Sequence, residues 1–436
     1  MSTTIPTRNE ETPGRARTNA AGVAGNVLEW YDFAVFGYLA PYIGAAFFPS
    51  DNETATLLET FGVFAFGYLM RPLGGVCFGH LGDRLGRRTA LLASVTLMLV
   101  PTFLIGLIPD FQSIGLAAPA LLIFLRMLQG LSVGGELMAS VAYMAETAPA
   151  KSRGFYGSLA LSTAVLGLLL GSGAGAGLEL FLTPDEIQAW GWRLPFLGGI
   201  AIGGAALWMR RSIPESPAFE TSGEQAESEQ SPLREVLSAQ LGRLVHLASL
   251  VMMLGAGFYL LFVWLPTYLN TFVSPPVENA LVLNTIAMTV LVLLIPAAGA
   301  LSDRVGRRPV LIVASAGTIT AAIPLFFVLS RGIPVEILAV QLTFAVLMGL
   351  AQGPIPAAMV EMFPTHIRAS ALGLGYNTTV AVFGGTAPLV ATWLISETGS
   401  AVAPALYLMV IAGIALAAAL LFKDRSGIDL NHPSLK

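Results

Sequence analysis

The chain has 436 residues, of which 55% are hydrophobic and only 11% charged, against about 25% charged in soluble domains, so a soluble globular fold is excluded. A net charge of −4, with basic residues scattered in twos and threes and no basic-aromatic stripe, removes the footing for nucleic-acid binding. A single cysteine, Cys77, precludes an internal disulfide, and His80, His246, His366 and His432 lie far apart without a second ligand at metal spacing; no metal site and no cofactor are expected.

In chain order, residues 1–20 hold Arg8, Glu10, Glu11, Arg15 and Arg17 without a short apolar core or a small-residue cleavage site, so they read as a retained cytosolic tail. Apolar runs of helical length follow at 21–45, 55–79, 88–108, 116–142, 154–181 and 191–210. Next, 211–243 contains PESPAFETSGEQAESEQSPLRE, whose proline, serine and glutamate content cannot form a packed core and reads as a cytosolic linker. Six more runs, at 244–270, 279–300, 309–330, 334–359, 369–395 and 402–422, precede a cytosolic tail at 423–436. A span takes about 20 apolar residues, so twelve spans use roughly 240 positions and leave short loops. The expected fold is therefore an all-α membrane protein whose transmembrane helices form two six-helix bundles, 21–210 and 244–422.

With both termini in the cytosol, 19 of the 23 Lys and Arg residues fall on that side, as the positive-inside rule requires. The halves also repeat. GHLGDRLGRRTAL (79–91) recurs as GALSDRVGRRPVL (299–311), an offset of 220, and Glu146, Pro149 and Arg153 recur as Glu361, Pro364 and Arg368, an offset of 215. Two correspondences at nearly one offset indicate a duplicated six-helix unit with a substrate site between the copies.

Ionisable groups at bilayer depth cost at least about 2.5–3.5 kcal/mol each, so the few present are functional candidates. Asn26, Glu29 and Asp32 stand three apart on one helix face, with Tyr31 beside them, and Asp32 lies about 12 residues, or ~18 Å, into its span. Two carboxylates on one turn suit proton binding, because burial and like charge both favour a neutral carboxyl. In the fourth span Arg126, Gln129, Val133 and Glu136 share a face. An arginine keeps its charge, so Arg126 needs an anion: Asp32, Glu136 or a substrate carboxylate. Arg71, followed by Pro72, Gly74 and Gly75, reads either as a cation that draws an anion inward or as one that snorkels to headgroups. The second half offers polar and aromatic candidates for substrate contact, namely Tyr259, Gln352, Tyr376 and Asn377, while Trp264 and Tyr268 read as interfacial anchors. Runs such as GLLLGSGAGAG (167–177) allow close helix packing, and no GKS or GKT follows them, so transport is expected to draw on a gradient rather than on ATP. No nucleophile and base pair suggests an enzyme.

GHLGDRLGRR with its copy resembles the signature between spans two and three of the major facilitator superfamily, and LIFLRMLQG (122–130) resembles that superfamily's second signature. More narrowly, GNVLEWYDF (25–33), YLMRPLGG (68–75), LQGLSVGGE (128–136), GWRLPF (191–196) and EMFPTHIRASALGLGYN (361–377) are similar to the metabolite:proton symporters, which include proline/betaine, citrate, 2-oxoglutarate and shikimate permeases. The resemblance covers essentially the whole chain. It implies proton-driven import by alternating access and is specific to family but not to substrate. Together with the carboxylate pair and Arg126 at membrane depth, it leads to the expectation of a symporter for a small carboxylate-bearing metabolite in a bacterial-type inner membrane, a single chain with no obligatory protein partner. A compatible-solute symporter for proline or betaine is the nearest alternative, and a proton-driven efflux antiporter a more distant one. Ser172 stands where exporters commonly carry proline, which counts against export, and few residues follow Lys423, where some osmosensing members carry a long charged extension. The resemblance further implies a cytosolic gate built from Gly79, Gly82, Asp83, Arg84, Gly86, Arg87, Arg88, Glu146 and Arg153 and from Gly299, Asp303, Arg304, Gly306, Arg307, Arg308, Glu361 and Arg368. In it, the aspartates accept from arginines and from the N-terminus of a facing helix.

Overall fold

The computed structural model describes residues 13–85, 87–133, 136–211, 232–428 and 430, less the side chains of 13–25, 79, 82–85, 87, 88, 136, 209–211 and 232–234. Twelve spans follow in order. Span 1 is Pro13–Tyr38 continued by Ala40–Phe47, span 2 Glu53–Leu69 with Arg71–Leu85, span 3 Arg87–Ile105, and span 4 Ala117–Ser132 with Glu136–Thr147. Span 5 is Arg153–Phe181 and span 6 Leu194–Arg211. The second half holds span 7 (Leu241–Thr271), span 8 (Ala280–Val305), span 9 (Arg307–Leu329), span 10 (Pro334–Met362), span 11 (Thr365–Thr398) and span 12 (Ala403–Leu421). Nine of these, among the described residues, are long and apolar enough on composition alone to cross a bilayer. The face bearing the span 2–3, 4–5, 8–9 and 10–11 connections is called the basic face below.

Some boundaries differ from those expected. Span 1 starts at Pro13, because proline's fixed φ suits the first helical position and the alanines beyond it continue the turn. Span 4 is not one helix. It stops at Val133, whose ψ of 96° is extended, after Ser132 Oγ has turned back onto the Gln129 carbonyl at 2.6 Å. The face drawn from Arg126 to Glu136 therefore does not continue past Val133, and the Glu136 side chain lies outside the described residues. The helix Pro232–Ala239 occupies part of the stretch 211–243, and 212–231 lie outside the description. Trp264 and Tyr268 are not anchors at an interface: both are fully buried, and Trp264 Nε1 donates to Thr392 Oγ1 at 2.9 Å inside the second bundle.

Spans 2 and 4 cross almost in backbone contact. A Cβ on Gly130 would sit 1.9 Å from the Gly67 carbonyl oxygen, and one on Gly74 would sit 2.1 Å from that of Leu131. Small residues are what permit such a crossing in lipid. It positions Arg126 and Arg71, which project from these two spans. Because the clash is with backbone, Gly130→Ala is expected to cost more than about 3 kcal/mol; a variant that purified as a single species with the parent's melting temperature would refute the crossing.

Spans 7 and 11 each widen into π-helix, at Met253–Gly257 and Tyr259–Trp264 in the one and Val380–Gly384 in the other. Such stretches are frequent at functional sites. Here Leu254, Tyr259 and Val380 all come to line a small cavity between the halves.

Candidate functional site

An α-helix advances 100° per residue, so positions three apart drift by about 60° per step. Asn26, Glu29 and Asp32 therefore face three different neighbours. Asn26 Nδ2 is 3.4 Å from Thr163 Oγ1 of span 5. Glu29 Oε1 accepts from Arg71 Nη2 of span 2 at 2.8 Å. Asp32 Oδ2 lies 3.4 Å from Arg126 Nη1 of span 4.

Two buried ion pairs thus sit side by side. Arg71 does not snorkel; it is 1% exposed, with its guanidinium carbon 4.8, 5.4 and 5.1 Å from the ring centres of Trp30, Phe33 and Tyr68. Its Nε and Nη1 have no hydrogen-bond partner. Arg126 is sealed more deeply beneath Phe33 and Phe36, at 4.7 and 4.3 Å, and neither it nor Asp32 is exposed at all. The Phe33 ring lies against both guanidinium groups. The Asp32 contact is long for a charge-assisted bond, which typically measures about 2.7–2.9 Å. Arg126 Nη1 instead bonds Gln129 Oε1 at 2.9 Å, and Gln129 Nε2 bonds Thr102 Oγ1 at 3.0 Å. Asp32 Oδ1 is buried without a partner, an expensive condition for an oxygen removed from water.

Above these pairs the two halves meet at the Tyr68 and Tyr259 hydroxyls, which share a short hydrogen bond, with Phe64 against both rings. Trp30, Phe258, Tyr259, Gln352 and Tyr376 line the central cavity, which is shrunk to about 20 Å3. Gln352 Nε2 is buried without a partner. Toward the face opposite the basic loops, a vestibule of about 920 Å3 opens past Tyr38, Tyr42, Glu53, Glu179 and Asn279.

The basic face is closed. Arg307 spans Asp303 (2.7 Å) and Glu361 (3.1 Å), joining spans 8, 9 and 10. Arg368 of span 11 crosses to Glu146 of span 4 at 2.5 Å. Arg153 of span 5 donates to the Ile428 carbonyl beyond span 12. Asp303 accepts from the Gly154 and Phe155 N–H groups, and a Cβ on Gly299 would sit 2.4 Å from the Gly154 carbonyl oxygen. Gly306 turns the chain between spans 8 and 9 with φ +94°, which an L-residue rarely adopts.

Several expected residues stand apart. Tyr31 turns its hydroxyl into the first bundle, onto the Pro195 carbonyl at 2.8 Å. Asn377 is buried but does not line the central cavity. Arg304 is exposed, and Arg308 bonds the Leu420 carbonyl and Asp424 rather than the other half. Gly86 lies outside the described residues, and of Gly79, Gly82, Asp83, Arg84, Arg87, Arg88 and Glu136 only the backbone is described. Conversely, Trp30, Tyr68, Thr102 and Phe258 belong to the site without having been singled out in the sequence. Tyr68 had a signal, standing one turn before Arg71, and Trp30 had another, adjoining Glu29.

Residues 23–385 match the family model described as Major Facilitator Superfamily. The chain belongs to that superfamily. This major facilitator protein is 34% identical to the proline/betaine transporter of Salmonella typhimurium, over 94% of this chain and 84% of the other. It is 36% identical to the glycine betaine/proline/ectoine/pipecolic acid transporter of Dickeya dadantii, over 96% and 85% of the two chains. In fold it is similar to a crystal structure of a D-xylose–proton symporter, with a TM-score of 0.74 and 20% identity over 94% of this chain and 97% of that one. The inward-open xylose transporter of Escherichia coli superposes at 0.72, with 18% identity over 95% and 97%. The chain is thus a multi-pass membrane transporter and not an enzyme.

Proposed function

We propose that this transporter is a proton-coupled symporter importing a small zwitterion with one carboxylate, of the proline or betaine kind. The carrying observation is the half-satisfied guanidinium of Arg71 beside the aromatic wall of the central cavity. Two buried donors without partners, Nε and Nη1, suit a carboxylate, which an ionised donor binds through a strong charge-assisted bond. Trp30, Phe258, Tyr259 and Tyr376 offer π faces to an ammonium group, a contact that strengthens when water is excluded. No lysine or arginine is among the residues lining that cavity, and Arg71 beside it serves one carboxylate, so the second carboxylate of a dicarboxylate would bring a charge that nothing there neutralises. The names of the curated relatives support the same substrate class.

Asp32 is the proton site in this reading. Arg126 holds it ionised, and a proton on Asp32 frees the Arg126 charge to be balanced by the incoming substrate carboxylate acting through the neighbouring Arg71–Glu29 pair. Asp303, Arg307, Glu361, Glu146, Arg368 and Arg153 form the cytosolic gate. The protein works as a single chain in the bacterial inner membrane, with both termini cytosolic and bundles 21–210 and 244–422 rocking about the cavity.

Uptake by proteoliposomes tests the proposal. Labelled proline or glycine betaine is expected to accumulate only under an inward proton gradient, and 2-oxoglutarate, citrate and shikimate are not. Gradient-driven accumulation of a di- or tricarboxylate would overturn the zwitterion assignment, and substrate loss from the vesicles against protons would overturn import.

A further inference from the structure

Spans 5 and 8 run antiparallel along one seam between the halves, and neither caps its own N-terminus. Ser152, before span 5, makes no side-chain cap. Asn279, before span 8, is left-handed at φ 57° and makes none either. Each helix is instead capped by a carboxylate at the far end of the other. Asp303, in the last turn of span 8, accepts from Gly154 N–H at 2.8 Å and Phe155 N–H at 2.9 Å. Glu179, in the last turn of span 5, accepts from Leu281 N–H at 3.0 Å.

A helix N-terminus carries partial positive charge and unsatisfied N–H groups, so a facing carboxylate is attracted by both. Between the two caps the seam stays closed. Ser172 Oγ meets Thr285 Oγ1 at 2.8 Å and accepts from Asn284 Nδ2 at 3.0 Å. The two ends are not equal, however. The Asp303 end is reinforced by Arg307, Glu361 and the abutting Gly154 and Gly299 backbones. The Glu179 end borders the vestibule, where water can replace its bond.

We propose that Glu179 is the latch of the vestibule face, holding span 8 closed against span 5 as Asp303 holds the basic face. Each transport step then releases one of the two crossed caps while the other stays made. The inference rests on the chain being an alternating-access transporter, and not on the substrate or coupling ion proposed above.

The test reads the conformational balance directly, with no substrate. In a Cys77→Ser background, spin labels are placed at Asp185→Cys and Glu278→Cys across the vestibule face, or at Lys151→Cys and Lys423→Cys across the basic face. Glu179→Gln, nearly isosteric but uncharged, is expected to raise the population with the long 185–278 distance about five- to thirtyfold and to leave the 151–423 distance short. Asp303→Asn is expected to lengthen the 151–423 distance instead, and the double variant to return toward the parent balance. Glu179→Asp, which keeps the charge but withdraws it by one methylene, should move in the direction of Glu179→Gln by less, and keeps the test alive if the glutamine variant does not fold. Loss of a merely structural contact would not produce shifts of opposite sign at the two faces. Unchanged distances in the Glu179 variants, or a lengthened basic-face distance, would overturn the latch.

Discussion

Asp32→Asn is expected to abolish gradient-driven accumulation while leaving substrate exchange across the membrane in place. With the membrane potential clamped at zero and one proton per substrate, a gradient of about two pH units supports up to ~100-fold accumulation, since each unit is worth about 1.36 kcal/mol. A transporter that cannot take up the proton equilibrates instead, and the ratio falls to about onefold. The reason lies in the pair itself. Asp32 and Arg126 have no exposed surface, and removing one partner of a buried pair leaves a charge that costs about 3–5 kcal/mol. Protonating Asp32 imposes the same imbalance, so the proton-loaded state is tolerable only when another anion comes near, which is what makes substrate and proton depend on each other. Asparagine mimics the protonated carboxyl permanently. Counterflow of labelled substrate in gradient-free vesicles separates this outcome from misfolding: exchange should persist. If the variant still accumulated substrate under the gradient as the parent does, Asp32 would not be the proton site.

Arg71→Lys should raise the KM for the zwitterion by about 10–100-fold and leave the accumulation ratio at saturation unchanged. Each charge-assisted bond is worth about 1.5–3 kcal/mol, and lysine offers a point charge where the guanidinium offers a planar fork. The lysine still serves Glu29, whose carboxylate is 2.8 Å from Arg71 Nη2, so the first bundle keeps its charge balance. Arg71→Gln alone would strand that carboxylate, and Glu29→Gln with Arg71→Gln is the appropriate neutral control. Initial uptake rates across a substrate series decide the matter. A KM at the parent's value in Arg71→Lys would move the carboxylate site away from Arg71, leaving Arg126 as its remaining candidate.

These expectations depend on features of unequal legibility. The spans were readable because burying a helix in lipid needs a run of apolar residues, a one-dimensional property that 55% hydrophobic composition displays openly. The paired loops were readable because duplication preserves spacing. Asp32 and Arg126 were readable because charge at bilayer depth is costly wherever its partner lies. The fate of Arg71 was not, since snorkelling and burial begin from the same position in a span and differ only in whether Glu29 and Trp30 are within reach. The break at Val133 was obscured by an apolar pattern that continues across it, and the helix face drawn through it assumed a geometry that the backbone abandons. Trp264 and Tyr268 looked like anchors because position near a helix end says nothing about which way the ring turns; both turned inward.

By itself, then, the sequence determined the helical membrane class, the duplicated halves and the short roster of charges the bilayer must accommodate, because hydropathy and spacing are local properties of the chain. Only the tertiary structure decided which charges meet. The drift of about 60° per three residues sends Asn26, Glu29 and Asp32 to three different spans, the Gly67–Gly130 crossing sets how near Arg126 and Arg71 come to them, and the antiparallel seam brings Glu179 to Leu281 across 102 residues of chain. Contacts between distant segments follow from helix rotation and packing depth, and neither quantity is written in any one stretch of residues.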